Sequence, residues 1–386
     1  MKIVRTRNMR RYVWMMLAAV LPALTGCSGF FPPITTTGGS TGGGSGTGGN
    51  TVYVGNLITT SLNGFTIGTG TLTGISGLPT KLTYQPLSMV VNPADTFLYI
   101  SSTSGIHLYL INSNGTLTAS TANPLPAGVY AVSMAVSPDG QWLIALDGTT
   151  QQLDIFQINS STGDLTSSTS TSTAPYSILS GTWSPTSVVI SPNGQLVFAA
   201  LGTGGDAVFT FNTSTGAAVS SAILQMPTTT TADYGLAVDS NTAYVYMARS
   251  GTSGGVAVYS IGTNGALTAV TGSPFAAGTG TYSVLLDSTG TYVYAANRGD
   301  GTISGYTIGT GAKLTALAGS PYTSGTGVQA LGLDRTGKYV LAVAPGGSPD
   351  LSMYSFDITT PGVLDAATSV ATDADPSGAS SIALTH

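Results

Sequence analysis

Ser283-Val-Leu-Leu-Asp-Ser-Thr-Gly290, followed after Thr291 by Tyr292-Val-Tyr-Ala295, sets two short apolar runs on either side of a polar turn. The runs are too short for helices and rich in β-branched and aromatic residues, so they read as paired strands. The chain continues through a turn to a third strand, Thr302-Ile-Ser-Gly-Tyr-Thr-Ile308. A second turn leads to Leu314-Thr-Ala-Leu-Ala-Gly-Ser-Pro-Tyr322, read as a fourth.

This unit recurs along the chain. Its first two strands reappear as Ser88-Met-Val-Val-Asn-Pro93 with Phe97-Leu-Tyr-Ile100, and as Ser133-Met-Ala-Val-Ser-Pro138 with Trp142-Leu-Ile-Ala145. Ser187-Val-Val-Ile-Ser-Pro192 with Leu196-Val-Phe-Ala199, and Gly235-Leu-Ala-Val-Asp-Ser240 with Tyr244-Val-Tyr-Met247, continue the series. Ala330-Leu-Gly-Leu-Asp-Arg335 with Tyr339-Val-Leu-Ala342 follows the opening stretch. The position of Pro93 recurs at 138, 192, 240, 288 and 335, at spacings of 45, 54, 48, 48 and 47. Four strands at such a period predict the blades of a β-propeller. Pro-Asp-Gly at 138–140 and Pro-Asn-Gly at 192–194 are turn sequences that supply a fixed φ and a positive φ.

The ends of the repeat region are complementary. Thr51-Val-Tyr-Val-Gly55 matches a second strand with no first strand before it, and Ser381-Ile-Ala-Leu-Thr-His386 matches a first strand with no second after it. Joined, they form one composite blade and leave no open sheet edge at the closure. Residues 51–386 number 336, which is seven blades of 48. The predicted fold is an all-β, seven-bladed propeller of four-stranded blades. Two stacked β-sandwiches would account for neither the single period nor the complementary ends.

The N-terminus reads as an address. Lys2, Arg5, Arg7, Arg10 and Arg11 precede the apolar run Tyr12–Leu24, which contains Pro22. This run is signal-peptide length and too short for a span of about 20 apolar residues. Leu24-Thr25-Gly26-Cys27 resembles a bacterial lipobox, with the single Cys of the chain at the lipidated position. Ser28 resembles the residue that favours outer-membrane sorting. Residues 1–26 are therefore expected to be a signal peptide and Cys27 the lipid attachment site. The Gly/Ser/Thr-rich remainder of 27–50 is expected to be a tether spanning roughly 25–30 Å. The expected location is the cell envelope, on the outer membrane.

Composition agrees with exposed turns around a β core. Apolar residues make up 42% of the chain and charged residues only 7%, with 52 Gly. Six basic residues beyond Arg11 stand against sixteen acidic ones, a net charge of −10. That balance argues against a nucleic-acid partner. Every acidic residue is Asp; the chain has no Glu.

Tyr294-Ala-Ala-Asn-Arg-Gly-Asp-Gly-Thr-Ile-Ser-Gly-Tyr306 and Leu267-Thr-Ala-Val-Thr-Gly-Ser-Pro-Phe275 resemble the seven-bladed lactonase family, over essentially all of 51–386. That family includes propeller-type 6-phosphogluconolactonases and fungal muconate-lactonising enzymes. The resemblance implies a cluster of His, Arg and Glu on one face of the ring, binding a carboxylate or phosphate and moving a proton. Arg298 looks like one of the family's arginines. Pro185-Thr186-Ser187 stands where active members carry Pro-His-Ser, and Tyr282-Ser283 where they carry Arg-His. The family's Glu position falls near Ser250. General acid–base catalysis needs a group titrating near the working pH. The two histidines, His107 inside a strand and His386 at the last position, do not match the family's sites.

Other motifs have plainer readings. Gly38-Gly-Ser-Thr-Gly42 fits a nucleophile elbow but lies in the tether without a strand–turn–helix context. Gly332-Leu-Asp-Arg-Thr-Gly-Lys338 approaches a P-loop, yet it joins two strands and Tyr339 replaces the metal-binding hydroxyl. Arg298-Gly299-Asp300 spells an adhesion tripeptide but reads as a hairpin turn in which Gly299, Asp300 and Gly301 take positive φ. Asp373 and Asp375 are too few oxygen ligands for Ca²⁺. Tyr244, Tyr246, Tyr292 and Tyr294 read as blade packing rather than a carbohydrate platform. No motif calls for a cofactor or metal. The expectation is a non-catalytic envelope propeller that presents a face to a protein or glycan ligand. A divergent lactonase built around Arg298 and a purely structural envelope protein are the alternatives.

Overall fold

The computed structural model describes residues 49–150, 152–167, 184–373 and 378–386. The expected signal peptide 1–26, Cys27, nearly all of the tether and Asp375 lie outside them. No helix among the described residues is long and apolar enough to cross a membrane.

In each repeat the first strand lies innermost and successive strands pair outward, all antiparallel. Burial follows that order. In the blade of the opening stretch, Thr281–Leu286 is buried throughout and Tyr292–Asn297 nearly so, while the outer strand Leu314–Ala316 buries only Leu314. A propeller sheet is covered on both faces by its neighbours, so its inner strands carry apolar residues without alternation.

Blade 1 is composite, with Ala379–Leu384 inside Thr51–Asn56, Ser61–Gly68 and Thr71–Gly74. The closure pairs Val52 with Leu384, Tyr53 with Ala383 and Val54 with Ile382. Blade 2 starts at Met89–Val91, blade 3 at Ala131–Val136, blade 4 at Ser187–Ile190, blade 5 at Ala232–Val238, blade 6 at Thr281–Leu286 and blade 7 at Ala330–Leu333. Inner strands of adjacent blades touch in a closed cycle. The sequence expectation of seven blades closed by the chain ends holds.

The core is distributed between the blades. Seven apolar clusters occur, and each spans one seam between neighbours. Tyr246 and Tyr294 are fully buried in two of them, with Tyr244 and Tyr292 packed at their margins, as the packing reading expected. Side chains of the second strand also reach across seams. Tyr53 Oη donates to Gly115 O (2.7 Å), Tyr99 Oη to Gly163 O (2.8 Å) and Tyr294 Oη to Gly362 O (2.6 Å). Each accepting glycine has a positive φ, 80°, 77° and 85° respectively, in the tight turn before the outer strand of the next blade. Trp142 makes the equivalent bond, Nε1 to Thr213 O at 2.6 Å.

The outer strand departs from the sequence reading. Leu314–Tyr322 is not one strand; Leu314–Ala316 and Tyr322–Thr323 pair separately with Thr302–Ile308. The chain bulges between them, where Leu317 N donates to Gly305 O and Gly305 N to Ser320 Oγ. A cis Ser320–Pro321 peptide lies in the bulge, and proline cannot supply a ladder donor there.

Candidate functional site

Blade geometry brings two loops together on one face. In blade 6, Thr281 at the start of the inner strand pairs with Asn297 at the end of the second. The hairpin Arg298–Gly301 therefore lies beside the segment that leads into the blade. Asn297 O accepts from Asp300 N (3.2 Å) and Gly301 N (2.9 Å), closing the turn. Only Gly301 takes a positive φ, of 65°; Gly299 and Asp300 do not, which corrects the sequence reading. A four-residue loop needs the left-handed conformation only at its last residue, where the chain rejoins the strand.

The turn is zipped to its neighbour. Arg298 N donates to Gly280 O and Gly299 N to Thr279 O, both at 3.0 Å. Gly280 has a φ of +65°, and a Cβ there would meet Gly299 N at 3.0 Å. The Asp300 carboxylate accepts from Thr279 N (2.6 Å) and from Thr279 Oγ1. The Thr279 hydroxyl and then its amide hold this exposed carboxyl below the usual range. The Arg-Gly-Asp tripeptide is thus a tied turn, with its acid engaged inside the blade.

Arg298 lies across Tyr282, its Cζ 5.0 Å from the ring centroid. Tyr234 of blade 5 stacks on Tyr282 with centroids 4.7 Å apart and planes 26° from parallel. These three side chains, with Ser250, Gly280 and Gly299, line an open pocket of about 410 Å³. Arg298 is half-buried and has no ion-pair partner among the described residues. Thr186 stands next to this group, its Oγ1 within 3.1 Å of the Asp233 and Tyr234 carbonyls.

The positions picked out in the sequence therefore converge: Ser250, Tyr282 and Arg298 share the pocket and Thr186 borders it. Their side chains are a hydroxyl, a phenol and a cation where a proton-transfer site needs a group titrating near neutrality. The arrangement can hold an anion on Arg298 and a flat or ring-shaped group against the tyrosines.

Neither histidine reaches the pocket. His107 lies in the third strand of blade 2, stacked on Tyr84 at 3.5 Å, with Nε2 3.0 Å from Ser102 Oγ. Burial lowers its pKa to about 4. His386 sits on the opposite face, where its backbone N donates to Asp95 Oδ1 at 2.8 Å and Nδ1 lies 3.1 Å from the same oxygen. Arg335 shares Asp95 from the other side, at 3.3 Å. Gly332–Lys338 is a turn between strands, as read. No three His, Cys, Asp or Glu side chains converge among the described residues. Gly38–Gly42 and Asp375 lie outside those residues.

The sequence reading missed two features. Tyr234 holds the same place in its inner strand as Tyr282, so the repeat alignment itself carried that signal. Behind Tyr234 and Ser250, Asp233 and Arg249 pair across blade 5 and approach Asp206 of blade 4.

The profile of the family described as "Lactonase, 7-bladed beta-propeller" matches residues 71–179 and 188–374, well over half of the chain. Two similar solved structures are candidate 6-phosphogluconolactonases. The one from Bacteroides uniformis is 19% identical with a TM-score of 0.68, covering 83% of this chain and 97% of its own. The one from Bacteroides fragilis is 17% identical with a TM-score of 0.69, covering 87% and 98%. The Pseudomonas aeruginosa periplasmic gluconolactonase PpgL is 16% identical with a TM-score of 0.67, covering 87% and 99%. At such identities the likeness is one of fold. No curated protein matches the chain.

Proposed function

The chain belongs to the seven-bladed β-propeller lactonase family, and from that premise we propose that it is a lipid-anchored binding propeller of the cell envelope. Its ligand is an acidic sugar, free or as a residue of a glycan, bound at the Arg298 pocket without ring opening. The observation that carries this reading is the half-buried Arg298 laid over Tyr282, free of a carboxylate partner among the described residues and beside the Tyr234–Tyr282 stack. A carboxylate on Arg298 and a sugar ring against the tyrosines would use both features. None of the six lining residues is a histidine or carboxylate able to take a proton from water. Anchoring rests on Cys27 behind the apolar run 12–24.

Lactone hydrolysis is the second reading, favoured by the family. The P. aeruginosa relative is named as a periplasmic gluconolactonase, so export by itself is no argument against lactone chemistry.

One experiment separates the readings. The intact protein is recovered from the membrane fraction of its producing cell. Equilibrium binding of gluconate, glucuronate and 6-phosphogluconate is then measured beside hydrolysis of their lactones. Binding should weaken about 10- to 100-fold in Arg298→Ala, the value of hydrogen bonds to a charged group, with no turnover above the uncatalysed rate. Turnover that Arg298→Ala abolishes would replace binding with hydrolysis, and recovery in the soluble fraction would remove the anchor.

A further inference from the structure

Asp206 opens the third strand of blade 4 and is 2% exposed. Neither of its carboxylate oxygens meets an N–H or O–H donor among the described residues. The group it faces within hydrogen-bond reach is another carboxylate, Asp233 of blade 5, which is fully buried. Asp233 in turn takes two bonds from Arg249, Nε to Oδ1 at 2.7 Å and Nη2 to Oδ2 at 2.5 Å. Arg249 is 4% exposed, and its remaining Nη1 donates to Tyr259 Oη at 3.1 Å.

Three charges cannot balance here if both acids are ionised. One guanidinium would face two carboxylates at a buried site, and an uncompensated buried charge is strongly unfavourable. The two acids also touch, and a hydrogen bond between them requires a proton on one. Asp233 is committed to Arg249, so the proton belongs on Asp206. We propose that Asp206 keeps its proton at neutral pH and donates it to Asp233. The neutral acid, carboxylate and guanidinium then form a lock across the seam between blades 4 and 5 that alkaline pH releases.

Burial, then the Asp233 charge and hydrogen bond, all raise the Asp206 pKa, and Arg249 opposes them only in part. The titratable and charged groups around Asp206 are Asp233 on the inner strand of blade 5, Arg249 on the second and Tyr259 on the third. The lock stands directly behind the pocket residues Tyr234 and Ser250, yet it does not depend on what the pocket binds.

The sign of the pH effect follows from proton counting. Above the usual carboxylate pKa the unfolded chain has released this proton and the folded chain still holds it. Stability therefore falls as pH rises from that value, by up to tenfold per pH unit in the folded-to-unfolded ratio, until Asp206 ionises. Asp206→Asn keeps the size and a donor toward Asp233 but cannot ionise, so this part of the pH dependence should vanish.

Infrared spectroscopy reads the proton directly in the wild-type protein. The chain has no Glu, and Asp154, pushed up to about 6 by burial and Asp147, is ionised by about pH 7.5. A neutral carboxylic-acid C=O band at that pH, absent from Asp206→Asn, would establish the buried acid. Hydrogen-exchange protection across 232–238, taken relative to the intrinsic base-catalysed rate, should then fall at alkaline pH in the wild type and not in the variant. Identical carbonyl spectra for the two proteins, or parallel stability–pH curves, would overturn the proposal. If Asp206→Asn does not fold, the wild-type band alone decides: present with an alkaline midpoint it stands, absent it falls.

Discussion

His107 stacks on Tyr84 beside two serine hydroxyls, and burial lowers its pKa from 6.5 to about 4. Between those values the unfolded chain binds a proton that the folded chain does not. Stability should therefore fall as pH drops from 6.5 toward 4, by up to tenfold per pH unit in the folded-to-unfolded ratio. In His107→Gln the urea midpoint should lose less on moving from pH 7 to about pH 4.5 than in the wild type. Equal losses in both proteins would show that His107 is not the group responsible. At this scale the sequence was legible where a repeat or a family position marked a residue, as with Ser250, Tyr282 and Arg298. Asp206, Asp233 and Arg249 carry no such mark. They meet because one blade abuts the next, and neither their spacing nor their types distinguish them from turn residues.

Strand elements were legible because their interiors are buried on both faces, and short apolar runs then stand out against Gly/Ser/Thr turns. Thr302–Ile308 matches its sequence reading residue for residue. The outer strands were not, since half-exposed residues at the rim impose little pattern, and Leu314–Tyr322 hid a bulge at Ser320–Pro321. The tyrosine bonds between blades belong to this scale as well. Removing one hydroxyl leaves a buried glycine carbonyl with one partner fewer, and such a loss costs about 1 kcal/mol. Tyr53→Phe, Tyr99→Phe and Tyr294→Phe should each lower stability by that amount. The three bonds join different blade pairs, so the triple variant should lose about 3 kcal/mol if they act independently. Chemical denaturation of the single and triple variants tests this. Near-zero single effects would mean that water or another donor replaces the phenol.

For the ring as a whole, the decisive question is what the composite blade contributes. Each blade buries its faces only against its neighbours, so a gap at any seam exposes two apolar surfaces. Removing Ala379–His386 would strip the inner strand from blade 1 and unpair one edge of Thr51–Asn56. It would also open the cluster that holds Val52, Val54 and Ile382, each fully buried. Burial of one such side chain is worth about 1.5–3 kcal/mol, so these three account for roughly 5–9 kcal/mol. That is comparable to the whole stability of an ordinary domain. The lost strand also touches the inner strands of blades 2 and 7, so the damage reaches both adjacent seams. A chain ending at Gly378 should therefore lose its cooperative unfolding transition and aggregate. A chain starting at Gly49 keeps every described pairing and should unfold as the intact protein does. If the chain ending at Gly378 kept the intact protein's transition, each blade would be stable without closure, and the closing strand would serve the face it borders rather than the fold.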